Sequence, residues 1–364
     1  MKQWKYQPAG DGGTYYQKFP NPYTLVLPGD ELTLHVPIAG GGTILRPYVF
    51  EEEYLPGSTS DSGTLTAEAV YVGYGATAPE LGYDDYQGVD VKGKIVGMEP
   101  EAPVTPDPDP ELFKKWRPYT FHDYKVKNAA AHGAAGMIYD YHIANPNCVF
   151  VKGFQLMYVG RAVMEDLFSG TGRKHADVVA QIRKTRAPAS MPLGKTVTMK
   201  NATEYHAEGV GSNVIAWIEG IVILFGAEEQ GVKGSEFSVA HPFMPNENVK
   251  AFINLESVGR GERIGVGSGR NYPAILEVME RVNTQYVHRP ITANLNANLA
   301  RPRQDAAHFL WAGIPTVSIG TSGAPPLPYA TYHTTKDRWE TLTPEIMEDF
   351  ARLVFLSVVE LANR

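Results

Sequence analysis

The run Ile221-Val-Ile-Leu-Phe-Gly-Ala-Glu-Glu-Gln-Gly231 constrains this chain more than any other stretch. Residues 221–226 are all apolar or Gly, which predicts a strand covered on both faces. It empties into Ala227, then the adjacent carboxylates Glu228 and Glu229, then Gly231 and Gly234. In open α/β sheets, ligands collect just past the carboxyl ends of the strands. Two acids side by side at such an end repel each other unless a cation lies between them. A divalent metal would supply that cation, one Glu acting as ligand and its neighbour as base toward a bound water. A bare Glu-Glu pair is also an ordinary solvated turn. The choice between these readings depends on what else the sequence places beside it.

At 364 residues the chain is long enough for about two domains, each burying its own core. A net charge of −7 argues against a nucleic-acid partner, which calls for a basic surface. No apolar run approaches the length that spans a bilayer. The start, Met1-Lys-Gln-Trp-Lys-Tyr6, shows no apolar h-region, so no signal peptide is read in this sequence. Cys148 is the sole cysteine, which rules out an intramolecular disulfide and a cysteine-rich metal site. Asn201-Ala-Thr203 fits a glycosylation sequon, a pattern too short to carry weight. No feature specifies an oligomeric state.

Short alternating runs open the chain: Tyr23 to Leu27 and Leu32 to Val36, with Pro28-Gly29-Asp30 predicting a turn between them. Further strands are predicted over 66–75 and within 88–97, and a Pro- and Asp-rich surface loop over 103–110. Residues 125–135 are rich in helix formers and lead into a strand at 136–139; helices are expected over 161–168 and 175–183. The second half alternates strands at 213–218, 221–226, 249–255 and 314–320 with a helix over 271–282. A final helix starts with Thr343 as N-cap and Pro344 at its first position. This alternation predicts an α/β layered domain with a mixed, largely parallel sheet flanked by helices.

The runs Tyr71-Val-Gly-Tyr-Gly75, Gly82 to Tyr86, Val91 to Val96 and Ala130 to Gly136 resemble a protease-associated domain, a β-rich lid module inserted in several peptidase families. The expected organisation is a β-rich segment over 1–65, the protease-associated domain over 66–206 and a catalytic-type domain over 207–364.

Three more features accompany the Glu pair. Asn254-Leu-Glu-Ser-Val-Gly259 sets Glu256 at a strand end; Tyr332-His-Thr-Thr-Lys-Asp337 sets His333 in a polar loop; Gln304-Asp-Ala-Ala-His-Phe309 offers Asp305. Imidazole and carboxylate are ligand types that zinc accepts in open catalytic sites. Together these resemble the M28 family of zinc exopeptidases, the aminopeptidase and glutamate-carboxypeptidase relatives. Phe225-Gly-Ala-Glu-Glu-Gln-Gly231 is the most specific part, and the resemblance spans about residues 65–364. It implies Glu228 as general base, Glu229, Glu256 and His333 as zinc ligands, and Asp305 and Tyr332 bordering the site. It implies two zinc ions, a peptide substrate, and an exported (extracellular or periplasmic) protein.

The chain departs from that family at one place. Relatives carry a His-x-Asp ligand motif and a metal-bridging Asp between the strands near Asn213 and Ile221, where only Glu219-Gly220 separates Ile218 from Ile221 here. His175-Ala-Asp177 has the letters of the motif but opens a predicted helix in the lid; His308 is another histidine able to reach inward. The residues at 218 and 221, joined by Glu-Gly, are expected to close as a tight hairpin. Three functions follow: a zinc exopeptidase, a catalytically inactive relative that binds or scaffolds, or a single-zinc glutaminyl-cyclase-like acyltransferase. The junction at 218–221 discriminates the first two.

Overall fold

The alternating runs form strands, but they pair with distant partners. Tyr23–Val26 pairs with Thr203–His206, while Glu31–Pro37 lies between Thr43–Pro47 and Met191–Asn201. The expected turn at Pro28-Gly29-Asp30 therefore joins two sheets and does not close a hairpin. The structure, a computed structural model, describes residues 5–57, 59–105, 109–141, 149–217, 220–295, 304–322 and 337–364. Cys148, Tyr332 and His333 lie outside these residues, as do Ile218 and Glu219. Two units emerge: Pro22–Gly209, and a second made of Met1–Asn21 with Val210–Arg364. Neither boundary falls at 65/66; residues 1–21 and 22–65 go to different units.

The middle unit is built on an eight-stranded mixed sheet. Gly63–Tyr71, Ile95–Met98, Gly136–Asp140 and Gln155–Val159 run parallel in that order. Ile95–Met98 and Gln155–Val159 are buried at every position, the pattern expected of parallel strands covered on both faces. Val70, Val96, Met98, Met137, Leu156 and Tyr158 form its core with Val126 and Ala129 of the helix His122–Ala131. Met98 faces Tyr139 across the ladder, so the two strands end at the same level. The helices Arg161–Phe168 and His175–Thr185 match the expected spans closely.

The other unit holds two small sheets. Val210–Trp217 is flanked on one edge by Gln7–Pro8 and Tyr16–Pro20 and on the other by Ile221–Leu224, all antiparallel. The second sheet has the order Phe252–Leu255, Thr316–Ser322, Arg263–Gly267, Ile291–Ala293, with two parallel pairings and one antiparallel. Its core joins Ile264, Val266, Val317 and Ile319 to Val278 and Met279 of the helix Pro273–Val282 and to Phe350 and Leu353 of Pro344–Ala362. Thr343 occupies the N-cap position of that last helix, yet its hydroxyl makes no capping bond. Among the described residues no helix is long and apolar enough to cross a membrane.

The strand at 221 departs from expectation. Ile221–Leu224 is not covered on both faces: Ile221 is 38% exposed, Val222 39% and Leu224 58%. The expected hairpin does form, with Trp217 opposite Ile221 and Val214 opposite Leu224. That pairing explains the exposure. The strand gains only one neighbour, and its free edge faces no partner strand among the described residues. Aromatic packing takes over where ladder bonds stop. Phe225, just past the strand, lies 6.1 Å from Phe252 and 5.8 Å from Phe309, whose rings stack on each other at 3.8 Å. These contacts tie the hairpin to the second sheet and to the helix Ala306–Trp311.

Candidate active site

Two strand exits and one helix start supply the acidic residues. Glu228 and Glu229 sit in the turn between Ile221–Leu224 and the helix Lys233–Ala240. The backbone there is doubly pinned. Gly231 and Val232 donate their N–H groups to the Glu228 carbonyl at 3.0 and 2.7 Å. Lys233 donates to the Ala227 carbonyl and Gly234 to that of Gly226, both at 3.1 Å. Asn213, fully buried in the neighbouring strand, locks the turn from below. Its amide donates to the Gly234 carbonyl at 2.8 Å and to Gln17 Oε1 at 3.0 Å, while its Oδ1 accepts from the Gly226 N–H at 3.1 Å.

This tight wiring coincides with strain. Ala227 and Val232, on either side of the acid pair, have φ of 56° and 53°. The left-handed region is costly for a β-branched residue, about 1–3 kcal/mol, and persists only where the surroundings over-determine it. Ser257, the residue after Glu256, has φ of 51°. Both acid-bearing exits thus carry a left-handed residue next to the carboxylate.

Glu256 follows Phe252–Leu255, and its N–H continues the ladder by donating to the Ile319 carbonyl at 3.0 Å. The Asn254 amide reaches Glu256 Oε2 at 3.4 Å and Ser318 Oγ at 3.2 Å. Ser318 in turn donates to Gln304 Oε1 at 2.6 Å. Asp305 stands immediately before the helix Ala306–Trp311 and is only 8% exposed. Its Oδ1 is buried and finds no hydrogen-bond partner among the described residues.

The four carboxylates feel one another. Burial pushes the Glu228 carboxyl up to about 8, and the charges of Glu229, Glu256 and Asp305 add to it. Burial also raises Glu256; the Asn254 amide partly offsets this, and Asp305 and Glu229 push it further up. Burial lifts Asp305 to about 6 against a hydrogen bond from Ser235. A concentration of half-buried negative charge with an orphaned carboxylate oxygen is the electrostatic setting a cation relieves. The donor chemistry therefore fits a divalent ion. It is not a closed cage: among the described residues, the one group of three or more His, Cys, Asp or Glu with ligand atoms all within 4.8 Å of one another is Glu99, Asp140 and His175 in the middle unit.

Glu229, Glu256 and Asp305 thus act on Glu228 through their charges, with no three of these ligand groups within 4.8 Å of one another, while His333 and Tyr332 fall outside the described residues. His308 does not join them. It is half-buried, packs edge-on against Trp311 at 5.1 Å, and the charges acting on it are Glu236 and Lys233. His175 opens the helix His175–Thr185 of the middle unit, as its sequence context indicates. The supporting roles of Asn213, Asn254 and Ser235 were not read from sequence. Each is a single small polar residue with no motif of its own, and its importance comes from distant partners.

The model of peptidase family M28 matches residues 218–358. That match is confined to the C-terminal part of the chain. Among solved structures, the chain is similar to an aminopeptidase from Aneurinibacillus sp. strain AM-1, at 18% identity and a TM-score of 0.61, covering 99% of this chain and 85% of that one. It is also similar to BSAP, a zinc aminopeptidase from Bacillus subtilis, at 17% identity and a TM-score of 0.52, covering 94% and 84%. At these identities the likeness is one of fold. No curated protein sequence matches the chain.

The charge cluster sets a pH dependence for the metal-free chain. Glu228 and Asp305 rise from 4.5 and 3.8 to about 8 and about 6 on folding, so between those limits the folded state holds protons that the unfolded chain has released. Stability therefore falls as pH rises through that window and is fully diminished above it. We expect the urea midpoint in chelator to be lower at pH 8.5 than at pH 5.5, and saturating zinc to reduce the difference. Because Asp85, His122 and Lys125 also titrate in this range, a pH difference left unchanged by Glu228→Gln and by Asp305→Asn would contradict the clustered carboxylates.

Proposed function

We propose that the chain is a zinc-dependent exopeptidase, aminopeptidase-like, that hydrolyses terminal peptide bonds. The observation that supports this most is the turn after Ile221–Leu224, which presents Glu228 and Glu229 on a backbone pinned by the buried Asn213, within the stretch matched by the M28 model. In this reading Glu229, Glu256 and His333 would hold the metal, with Asp305 and Tyr332 bordering it. Bound zinc would supply Lewis-acid polarisation and a lowered water pKa. Glu228 takes a proton from the attacking water and returns it to the leaving amine nitrogen. Asn254 orients Glu256, and Asn213 fixes the turn that presents Glu228. The middle unit, in this reading, is a protease-associated lid.

A second reading has its own support: a binding or scaffold protein that kept the fold and lost the chemistry. Trp217 pairs directly with Ile221, leaving three residues where relatives carry further ligands. Elemental analysis of zinc, with hydrolysis of aminoacyl p-nitroanilides, separates the two. Stoichiometric zinc, with turnover lost to chelator and restored by zinc, supports the peptidase. Metal-free inert protein that stays inert when zinc is added overturns it in favour of the scaffold.

A further inference from the structure

Glu99 and Asp140 leave their strands as Glu228 and Glu256 leave theirs, but in the other unit. Glu99 directly follows Ile95–Met98, and Asp140 ends Gly136–Asp140. Because these strands are parallel with Met98 opposite Tyr139, the two acids emerge side by side at one carboxyl edge. His175, the first residue of the helix His175–Thr185, completes the group. One ligand atom from each lies within 4.8 Å of the others.

We propose that Glu99, Asp140 and His175 form a binding site for a divalent transition-metal ion of the zinc class. One nitrogen and two carboxylates make a three-ligand set that leaves a fourth position open, as tetrahedral zinc accepts. Calcium and magnesium prefer oxygen alone, so the imidazole selects against them.

The histidine supplies an observation independent of the acids. His175 is 2% exposed and Glu99 3%. The His175 Nε2 lies 2.5 Å from Glu99 Oε1, while its Nδ1 is buried with no hydrogen-bond partner among the described residues. A buried ring nitrogen without a partner costs free energy comparable to a lost hydrogen bond. The Glu99 hydrogen bond satisfies one nitrogen only.

The surroundings hold the ligands in place. The Tyr71 hydroxyl donates to Glu99 Oε1 at 3.2 Å, and the Glu99 N–H donates to the Gly73 carbonyl at 2.8 Å. The ring of His175 packs edge-on against Tyr71 at 5.8 Å and tilted against Phe168 at 5.1 Å. Two cations, Lys125 and Arg183, act on Glu99 through space. Their hydrogen bonds go to the Tyr74 carbonyl and the Tyr74 hydroxyl, respectively.

This site does not depend on the peptidase reading, and the test separates them. The full chain carrying Glu229→Gln and Glu256→Gln is stripped of metal and titrated with Co²⁺ and then Zn²⁺. One equivalent should bind, with the visible absorption of tetrahedral cobalt, and zinc should displace it. X-ray absorption of the zinc-loaded protein should show one imidazole and two carboxylates. Asp140→Asn in that background should weaken binding by more than about 100-fold, beyond what loss of a supporting contact costs. Far-UV circular dichroism and the unfolding midpoint should stay unchanged; Glu99→Gln provides a second variant should Asp140→Asn fail to fold. Substoichiometric binding by the parent, a zinc spectrum without imidazole, or binding that survives both substitutions would each overturn the proposal.

Discussion

Exchanging Glu228 for Gln should lower kcat by about 10²–10⁴-fold, the range a positioned general base contributes, while zinc content stays as in the parent. Gln keeps the shape of Glu and removes only the proton acceptor. The same change should also stabilise the metal-free protein, because it deletes a carboxyl pushed up to about 8 by burial and by three neighbouring acids. The fall in urea midpoint between pH 5.5 and 8.5 should shrink accordingly. Activity down with stability up is the signature of a group kept for chemistry at the expense of the fold. Steady-state hydrolysis and urea melts in chelator read the two arms. Unchanged kcat in an active parent would remove Glu228 from the reaction; an unchanged pH dependence of stability would remove it from the charge cluster.

Gly234→Ala is the substitution with the largest expected effect on the fold. Helix propensity predicts the opposite result, since Gly234 lies inside Lys233–Ala240 and Ala is favoured there by about 1 kcal/mol. Space decides otherwise. A Cβ at this position would meet Asn213 Oδ1 at 2.3 Å and the Gly226 carbonyl oxygen at 2.4 Å. Forcing atoms into a packed site costs about 1–3 kcal/mol, and each buried hydrogen bond of Asn213 left unmade adds about 1–3 kcal/mol. The loss exceeds the helical gain. The Gly226 and Gly234 ends of the turn carry Glu228 between them, so activity should fall along with the urea midpoint. A variant as stable as the parent would show that Asn213 does not hold this turn.

Gly320 occupies the equivalent place under the second acid. A Cβ there would stand 2.3 Å from the Glu256 carbonyl oxygen. Both acid-bearing exits are therefore built on a close backbone approach that only glycine allows. The glycines were visible in the sequence, but which atoms they make room for was not.

Much of the local structure was legible. The helices at 161–168 and 175–185, the strand at 136–140 and the start of the final helix at Pro344 fall where their sequence patterns put them. Placing acids directly after apolar strand runs also singled out Glu228 and Glu256. Applied more widely, the same signal would have found Glu99 and Asp140, each of which ends a short apolar run. Other features carried no local signal. The exposure of Ile221–Leu224 depends on having a single pairing partner, and an apolar run reads the same whether one edge or both are paired.

By itself, then, the sequence determined where many of the strands and helices begin, which residues can titrate or bind a metal, and that the C-terminal part resembles the M28 peptidases. Those properties live in a few consecutive residues, because side-chain alternation, capping and carboxylate chemistry are set by near neighbours. Tertiary structure decided which acids share a field, which backbone positions are strained, and which polar side chains hold them there. Asn213 meets Gly234, Glu99 meets His175 and Glu256 feels the charge of Asp305 only after the chain folds back, and interactions that fall off with distance in space take no account of separation along the chain.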